Sequence, residues 1–277
     1  MVFLCSFLRG KIYKLINKGS VNLSYKADVN LRKKLITMFE GIKNEIVQSY
    51  LQGHMGSAWV DDPSNPTAAQ IIVGVFIFYA GDANAKASEE LLRDLPEDSL
   101  VIVNAEEWKK RIEAVHKDAI TKKIQRYAFE KNTAHLNRKH IGSFLSLLPQ
   151  GYELRKIDSN IAYNPSLQEL SEDITSQFES IDHYISKGVG YCIFHNGQIV
   201  SVASSYCVYD DGIEIEVDTH PNHRRKGLAT VVTSALILDC LDRGKYPNWD
   251  AANLNSVELA KKLGYVMEEP YDAYRIV

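Results

Sequence analysis

The 277-residue sequence is poor in cysteine and proline and has no long apolar run. Its four cysteines (Cys5, Cys192, Cys207 and Cys240) form no CxxC and no other metal-ligand spacing. That argues against a zinc site or a disulfide scaffold, so no metal is expected. No stretch reaches the roughly 20 apolar residues of a spanning helix, so no membrane-spanning helix is expected. The opening MVFLCSFL lacks a basic region before it, is short, and runs straight into Arg9, Lys11 and Lys14, unlike a secretory signal. A reducing cytoplasm is therefore the expected compartment. Charge of one sign is also missing. Against 32 Lys+Arg stand 35 Asp+Glu, a net charge of −3, so neither nucleic acid nor an anionic membrane surface is expected as a partner. Neither GxxxxGK[ST] nor a GxGxxG after a strand is present, which excludes the common nucleotide fingerprints. No internal repeat or low-complexity tract is found. What remains is the composition of an ordinary folded protein, 45% hydrophobic, and long enough for two modest domains.

Periodicity supplies the organisation. LRKKLITMFEGIKNEIVQSYLQ (31–52) has apolar positions at helical spacing, and AQIIVGVFIFYAG reads as one or two buried strands. SLVIVNAEEWKKRIEAVH predicts a short strand and then a helix capped near Asn104. TKKIQRYAFE alternates as an exposed strand, and AHLNRKHIGSFLSLLPQ reads as a helix stopped by Pro149 and Gly151. In the second half YELRKID is a strand, followed by one or two helices over PSLQELSEDITSQFESIDHYIS. Three strands follow in VGYCIFHNGQIVSVASSYCVYDDGIEIEVDT, with Asn196-Gly197 and Asp211-Gly212 as hairpin signals. Then come a buried helix in GLATVVTSALILDCLD, a short strand in YPNWDAAN, a helix in SVELAKKLG, and a strand, bend and strand in YVMEEPYDAYRIV. The order is α+β, with a mixed, mostly antiparallel C-terminal sheet flanked by helices. Residues 134–277 form that domain, preceded by a smaller α/β domain over 1–133.

One stretch stands out chemically. In DTHPNHRRKGLAT (218–230) a strand runs into a turn bearing Arg224, Arg225 and Lys226, and at once into a helix at Gly227. A turn feeding a helix presents backbone N–H groups without intrahelical partners at the positive end of the helix dipole. Gly227 lets a ligand approach the backbone, and Ala229 keeps the next turn small. Such a place suits a phosphate or pyrophosphate. Taken alone, three cations on a turn read rather as a solvated face.

The segment RRKGLA has the form [RQ]-x-x-G-x-[GA], and NLNSVELAKKLGY (253–265) has the form N-x-x-[AS]-x-x-L-x-x-K-x-G-[FY]. Both, in this order and at this spacing, resemble the cofactor segments of the GCN5-related N-acetyltransferases, the GNAT superfamily. The resemblance covers roughly 150–277. More weakly it extends over the first half, through LQGHMGSAWVDDPSNPTAAQIIVGVFIFYAGDAN, to a two-domain branch that includes zwittermicin-resistance-type acetyltransferases. It implies acetyl-CoA as co-substrate, held by the backbone of Arg225, Lys226, Gly227, Leu228, Ala229 and Thr230, with Arg224 bracing the loop. It implies further that Val217, Asp218 and Thr219 run beside the pantetheine arm, with the Val217 N–H as oxyanion donor. Asn253, with Ser256 in the small-residue place, is assigned to the CoA arm; Asn253 also reads as a plain helix N-cap.

The reaction so implied is transfer of acetyl to a primary amine of a small molecule, such as an antibiotic or another amino compound. It needs a base for the ammonium. Alternation puts Glu214 and Glu216 on one face of their strand. Two readings of that face stand: it opens to solvent or pairs with basic neighbours, or it carries Glu216 as base with Glu214 as its helper or as holder of the ammonium. His220 and His223 lie on the adjoining turn. Ala260 occupies the place where many relatives carry a tyrosine as acid to the thiolate; Tyr206, Tyr246, Tyr265 and Tyr271 are the other phenols in view. Cys207 reads as a packed thiol. A catalytically inactive acyl-CoA-binding or regulatory module is the alternative function. The first domain reads as a wall of the acceptor pocket, or as a pairing element that makes a homodimer.

Overall fold

A computed structural model describes residues 24–93, 95–96, 98–117 and 121–276. Cys5 and the opening MVFLCSFL lie outside them. The chain divides into two compact units, one of residues up to Ile124 together with Asp272–Val277, the other Gln125–Tyr271. In the first unit, β1 (Tyr25–Lys26), β2 (Ser57–Val60), β3 (Ala68–Val73), β4 (Phe76–Gly81) and β5 (Leu100–Ile102) lie side by side in that order. The apolar run at 68–81 is two strands in a hairpin, paired from Ala68↔Gly81 to Val73↔Phe76. Helices α1 (Val29–Phe39), α2 (Glu45–Leu51), α3 (Lys86–Arg93) and α4 (Glu106–Val115) complete the unit. The single helix predicted over 31–52 is interrupted at Gly41, and the Asn44 side chain caps a second one through the Ile46 N–H. Helix α4 follows an N-cap at Ala105, next to Asn104, as expected. A core of Ile77, Tyr79, Leu92, Val101, Trp108 and Ile112 fills the unit.

The chain passes to the second unit within β6 (Thr121–Ala128). The helix predicted over 134–150 is only the short α5 (Arg138–Ser143), followed by a 3₁₀ turn at Phe144–Leu147. Then come β7 (Tyr152–Lys156), four short helices, α6 (Ser159–Ala162), α7 (Pro165–Leu170), α8 (Asp173–Ser176) and α9 (Ile181–Lys187), and the meander β8 (Gly190–His195), β9 (Gln198–Tyr209) and β10 (Gly212–Thr219). Asn164 and Ser180 cap α7 and α9 through their side chains, which splits the helical stretch into pieces. Helix α10 (Leu228–Asp242), β11 (Tyr246–Asn248), β12 (Asp250–Ala251) and α11 (Leu254–Leu263) follow. The five-stranded sheet has the order β11-β10-β9-β8-β7, antiparallel except for the parallel pair β10·β11. Helix α10 packs against this sheet and buries Val231, Val232, Leu236 and Ile237 completely. The fold is α+β with a mixed, largely antiparallel C-terminal sheet flanked by helices.

Two local expectations need correction. The second hairpin loop is Asp210-Asp211, because Tyr209 pairs with Gly212. Gly212 is wanted for a different reason: a Cβ there would lie 2.0 Å from the Tyr246 carbonyl oxygen of the parallel neighbour. The closing segment makes one strand, not two. Around Met267 there is a single bridge to Phe129, and β13 (Tyr271–Ile276) pairs with β5 of the first unit, Tyr274 opposite Val101.

Candidate active site

The site begins where two strands part. Strands β10 and β11 pair through Gly212↔Tyr246, Ile213↔Pro247 and Glu214↔Asn248, and no further. At the same point the register of β10 against β9 shifts, between Glu214 and Ile215. Beyond Asn248 the chain is drawn elsewhere. The Trp249 indole N–H donates to Ser256 Oγ at 3.0 Å, its ring meets Tyr265 edge-on, and Asp250–Ala251 pair with the Tyr127–Ala128 end of β6. Among the described residues, strand β10 continues without a strand partner on that side to Thr219. His220 N–H donates to Val200 O on β9, so strand alternation turns the N–H groups of Val217 and Thr219 toward the side that β11 has left. Each meets the carboxylate of the residue before it. Asp218 Oδ1 accepts from the Thr219 N–H at 2.6 Å, and the Glu216 carboxylate from the Val217 N–H.

The two strand acids differ in their surroundings. Glu214 is 5% exposed, and its Oε2 accepts from Asn248 Nδ2 at 2.7 Å. Glu216 is half-buried, and burial pushes its carboxyl up to about 8; the charges of Asp173 and Asp218 push the same way, while Arg126 and the Val217 N–H oppose. Asp218 is also raised by burial, against the pull of the Thr219 N–H, Arg224 and His220. Asp173 stands on α8, which packs against β9, and accepts from Gln177 Nε2 at 3.0 Å. The Arg126 side chain is buried and gives Nε to Asp250 Oδ1 at 2.6 Å. Sequence reasoning missed Asp173 and Arg126. Both arrive through packing of remote segments, and neither stands in a local pattern that signals it.

After β10 the chain makes a short 3₁₀ turn at Pro221–His223, and Arg225 takes a left-handed φ of 61°. Gly227 (φ 79°) is the N-cap of α10 and supplies no capping side chain. The first N–H of α10 to return to the loop is that of Val231, onto Gly227 O. The N–H groups of Leu228, Ala229 and Thr230 therefore begin the helix without a side-chain cap, at the positive end of a 15-residue dipole. A Cβ on Gly227 would meet no protein atom within 4 Å, so the approach to these donors is open. Leu228 is buried, which leaves only its backbone to serve a ligand. Arg224 Nε donates to Thr219 O at 2.9 Å, and its guanidinium stands 4.0 Å from Asp218. Lys262 of α11, a cation the sequence reading did not single out, reaches Thr230 Oγ1 at 3.4 Å. This donor set suits the pyrophosphate of a CoA arm.

Asn253 and Ser256 are brought together with each other: Asn253 Oδ1 accepts from the Ser256 N–H at 3.1 Å as the N-cap of α11. Three of the four phenols in view commit their protons inside the protein. Tyr246 donates to Glu130 O, Tyr265 to Pro247 O at 2.6 Å, and Tyr271 to Asp250. Tyr206, Cys207 and Ala260 are buried. Among the described residues no group of three or more His, Cys, Asp or Glu is gathered to hold a metal ion, and no helix is long and apolar enough to cross a membrane.

A parallel pair that forks after three rungs is followed by an uncapped helix start behind a basic turn, an arrangement whose open backbone donors suit a phosphorylated ligand. Residues 36–274 match the GNAT acetyltransferase family, and the chain belongs to it. A GCN5-related N-acetyltransferase-like protein from Streptococcus suis 89/1591 superimposes with a TM-score of 0.81 at 33% identity, covering 90% of this chain and 99% of that one. The uncharacterized N-acetyltransferase YdfB of Bacillus subtilis (strain 168) is 25% identical over 235 residues, 79% of this chain and 85% of that protein. A Drosophila protein at 11% identity shares the fold with a TM-score of 0.58, over 93% of this chain and 99% of that one. The chain is thus a GNAT-type, acetyl-CoA-dependent acetyltransferase.

Proposed function

We propose that the protein transfers the acetyl group of acetyl-CoA to a primary amine of a small, cationic acceptor by direct attack, with Glu216 taking the ammonium proton. The wording from Glu214 to Tyr265 supports a place in the two-domain branch with the zwittermicin-resistance-type enzymes, and so an amino compound such as an antibiotic as acceptor. One observation carries the reading. The Glu216 carboxyl stands beside the Val217 N–H on the strand edge that β11 leaves, a few residues ahead of the uncapped helix start.

Acetyl-CoA, when bound, supplies an acetyl group activated as a thioester. The N–H groups at the start of α10 hold its pyrophosphate, and Arg224 keeps the turn in place through Thr219 O. The Val217 N–H, which donates to the Glu216 carboxylate in the free protein, would serve the thioester oxygen once that carboxylate turns to the ammonium. An incoming ammonium meets Glu216 with Asp173 close by. The positive charge favours the ionised carboxylate, which then accepts the ammonium proton and frees the nitrogen lone pair. Ala260 stands in the usual tyrosine place and the Tyr246, Tyr265 and Tyr271 protons are donated elsewhere, so none of these three phenols is free to protonate the thiolate.

The test is thiol release from acetyl-CoA with a panel of diamines, monoamines and α-amino acids. Turnover with diamines ahead of amino acids supports the reading, because Asp173 beside Glu216 repels a carboxylate next to the amine. Asp173→Asn should then raise KM for diamines more than for monoamines. Tight acetyl-CoA binding with no release by any amine would instead support the inactive acyl-CoA-binding module.

A further inference from the structure

Beside the basic turn lies a cluster that the reaction does not use. Lys226 Nζ donates to the hydroxyl oxygen of Tyr152 at 3.0 Å and stands 5.7 Å from its ring centroid. The same hydroxyl is 3.0 Å from Nδ1 of His223. The Tyr152 ring stacks on His195 at 4.3 Å; His195 is 5.2 Å from His223, which is 5.7 Å from His220. An ammonium can only donate, so the phenol oxygen accepts from Lys226; in the tautomer of His223 that leaves Nδ1 without a proton, the phenol sends its own proton there. That relay requires His223 to be neutral. Burial holds His223 below the ordinary imidazole range, helped by the charges of Lys226, His195 and His220. The groups facing this imidazole are therefore Tyr152 from β7, His195 from β8, and His220 and Lys226 from its own turn, with the Asp218 carboxylate facing His220 from the end of β10.

We propose that this cluster is a proton-linked clamp on the cofactor: binding of acyl-CoA is coupled to proton uptake by His223, and Tyr152 is the positioning residue that holds Lys226 back until then. The inference rests on the reading that the start of α10 takes the pyrophosphate. In the relay, Lys226 is held on the phenol. Protonated His223 turns Nδ1 into a donor, so one phenol oxygen would face two cations, and Lys226 is released toward the turn. A pyrophosphate at the helix start makes both positive charges favourable where they had repelled each other. A ligand that binds the protonated form better raises the pKa of that group. Acyl-CoA affinity must then increase as pH falls through the window between the free and bound His223 values.

The experiment is calorimetry of the full chain with acetyl-CoA near pH 6, in buffers of different ionisation enthalpy, with NMR titration of the His223 ring before and after saturation. The expected result is net proton uptake, an affinity gain of up to about tenfold per pH unit of acidification, and a higher His223 pKa in the complex. His223→Asn should flatten the pH dependence. Tyr152→Phe, which keeps the stack on His195, should move the free His223 value up and the window with it. An unchanged His223 pKa on saturation, or the same proton count in His223→Asn, overturns the clamp while leaving cofactor binding intact. Failure of acetyl-CoA to bind at any pH would overturn the cofactor reading itself.

Discussion

Asn248 Nδ2 donates to Glu214 Oε2 at 2.7 Å, and these two residues are also the last backbone partners before β10 and β11 part. The buried carboxylate therefore sits at the fork. Glu214→Ala should leave the Asn248 amide without this partner and lower stability by roughly 1–3 kcal/mol. Glu214→Gln, which retains a carbonyl acceptor, should cost less. Chemical denaturation of both variants checks this, and equal stability of Glu214→Ala and the parent would refute it.

Glu216→Gln should lower turnover by roughly 10²–10⁴-fold with little change in acetyl-CoA affinity. The parent rate should rise with pH toward about 8, as the carboxylate forms, and that limb should vanish in the variant. Stability has the opposite slope. The folded carboxyl titrates at about 8 against an ordinary 4.5, so between these values the folded state holds a proton that the unfolded chain has lost. Its stabilising contribution is full below 4.5 and is lost as pH rises through 8. Denaturation midpoints across that range should fall more steeply in the parent than in Glu216→Gln.

Gly227 adopts φ 79° with open space where a Cβ would stand. Gly227→Ala should therefore cost stability only through its conformation, on the order of 1–2 kcal/mol. Gly227→Glu should in addition abolish acetyl-CoA binding, since its carboxylate would stand at the helix start. Calorimetry showing undiminished affinity for Gly227→Glu would move the cofactor site elsewhere.

Asn253→Ala removes the N-cap of α11 and should lower stability by about 1 kcal/mol. If Asn253 also reaches the CoA arm, affinity falls by a further hydrogen bond, roughly 0.5–1.5 kcal/mol. Thermal melts with and without acetyl-CoA separate the two: an equal shift in both series leaves Asn253 a cap alone.

Arg126 and Asp250 form a buried pair, with side chains 7% and 10% exposed. Arg126→Met leaves the Asp250 carboxylate without its cation and should cost about 3–5 kcal/mol, much of it recovered in Arg126→Met/Asp250→Asn. Because Arg126 opposes the rise of the Glu216 pKa, the double variant should shift the rising limb of the rate profile to higher pH. A pH–rate profile identical to the parent's would show that Arg126 has no hold on Glu216.

What the amino-acid sequence determined by itself was local. Alternation and the turn residues located the meander from Gly190 to Thr219, and the motif RRKGLA located the helix start, because a glycine behind a basic turn already contains its backbone donors. Apolar periodicity was less informative at breaks that side chains impose, so the helix predicted over 31–52 became two around Gly41 and the Asn44 cap. Tertiary structure alone decided the rest. The forking of β10 from β11 depends on Trp249, on the register shift between Glu214 and Ile215 and on the pairing of Asp250 with Ala128. The setting of Glu216 depends on Asp173 and Arg126, 43 and 90 positions away in the numbering. The last strand left the sheet expected for it and paired with β5. Strand partners and through-space charge depend on which distant segments come to lie together, and neither alternation nor spacing along one chain carries that information.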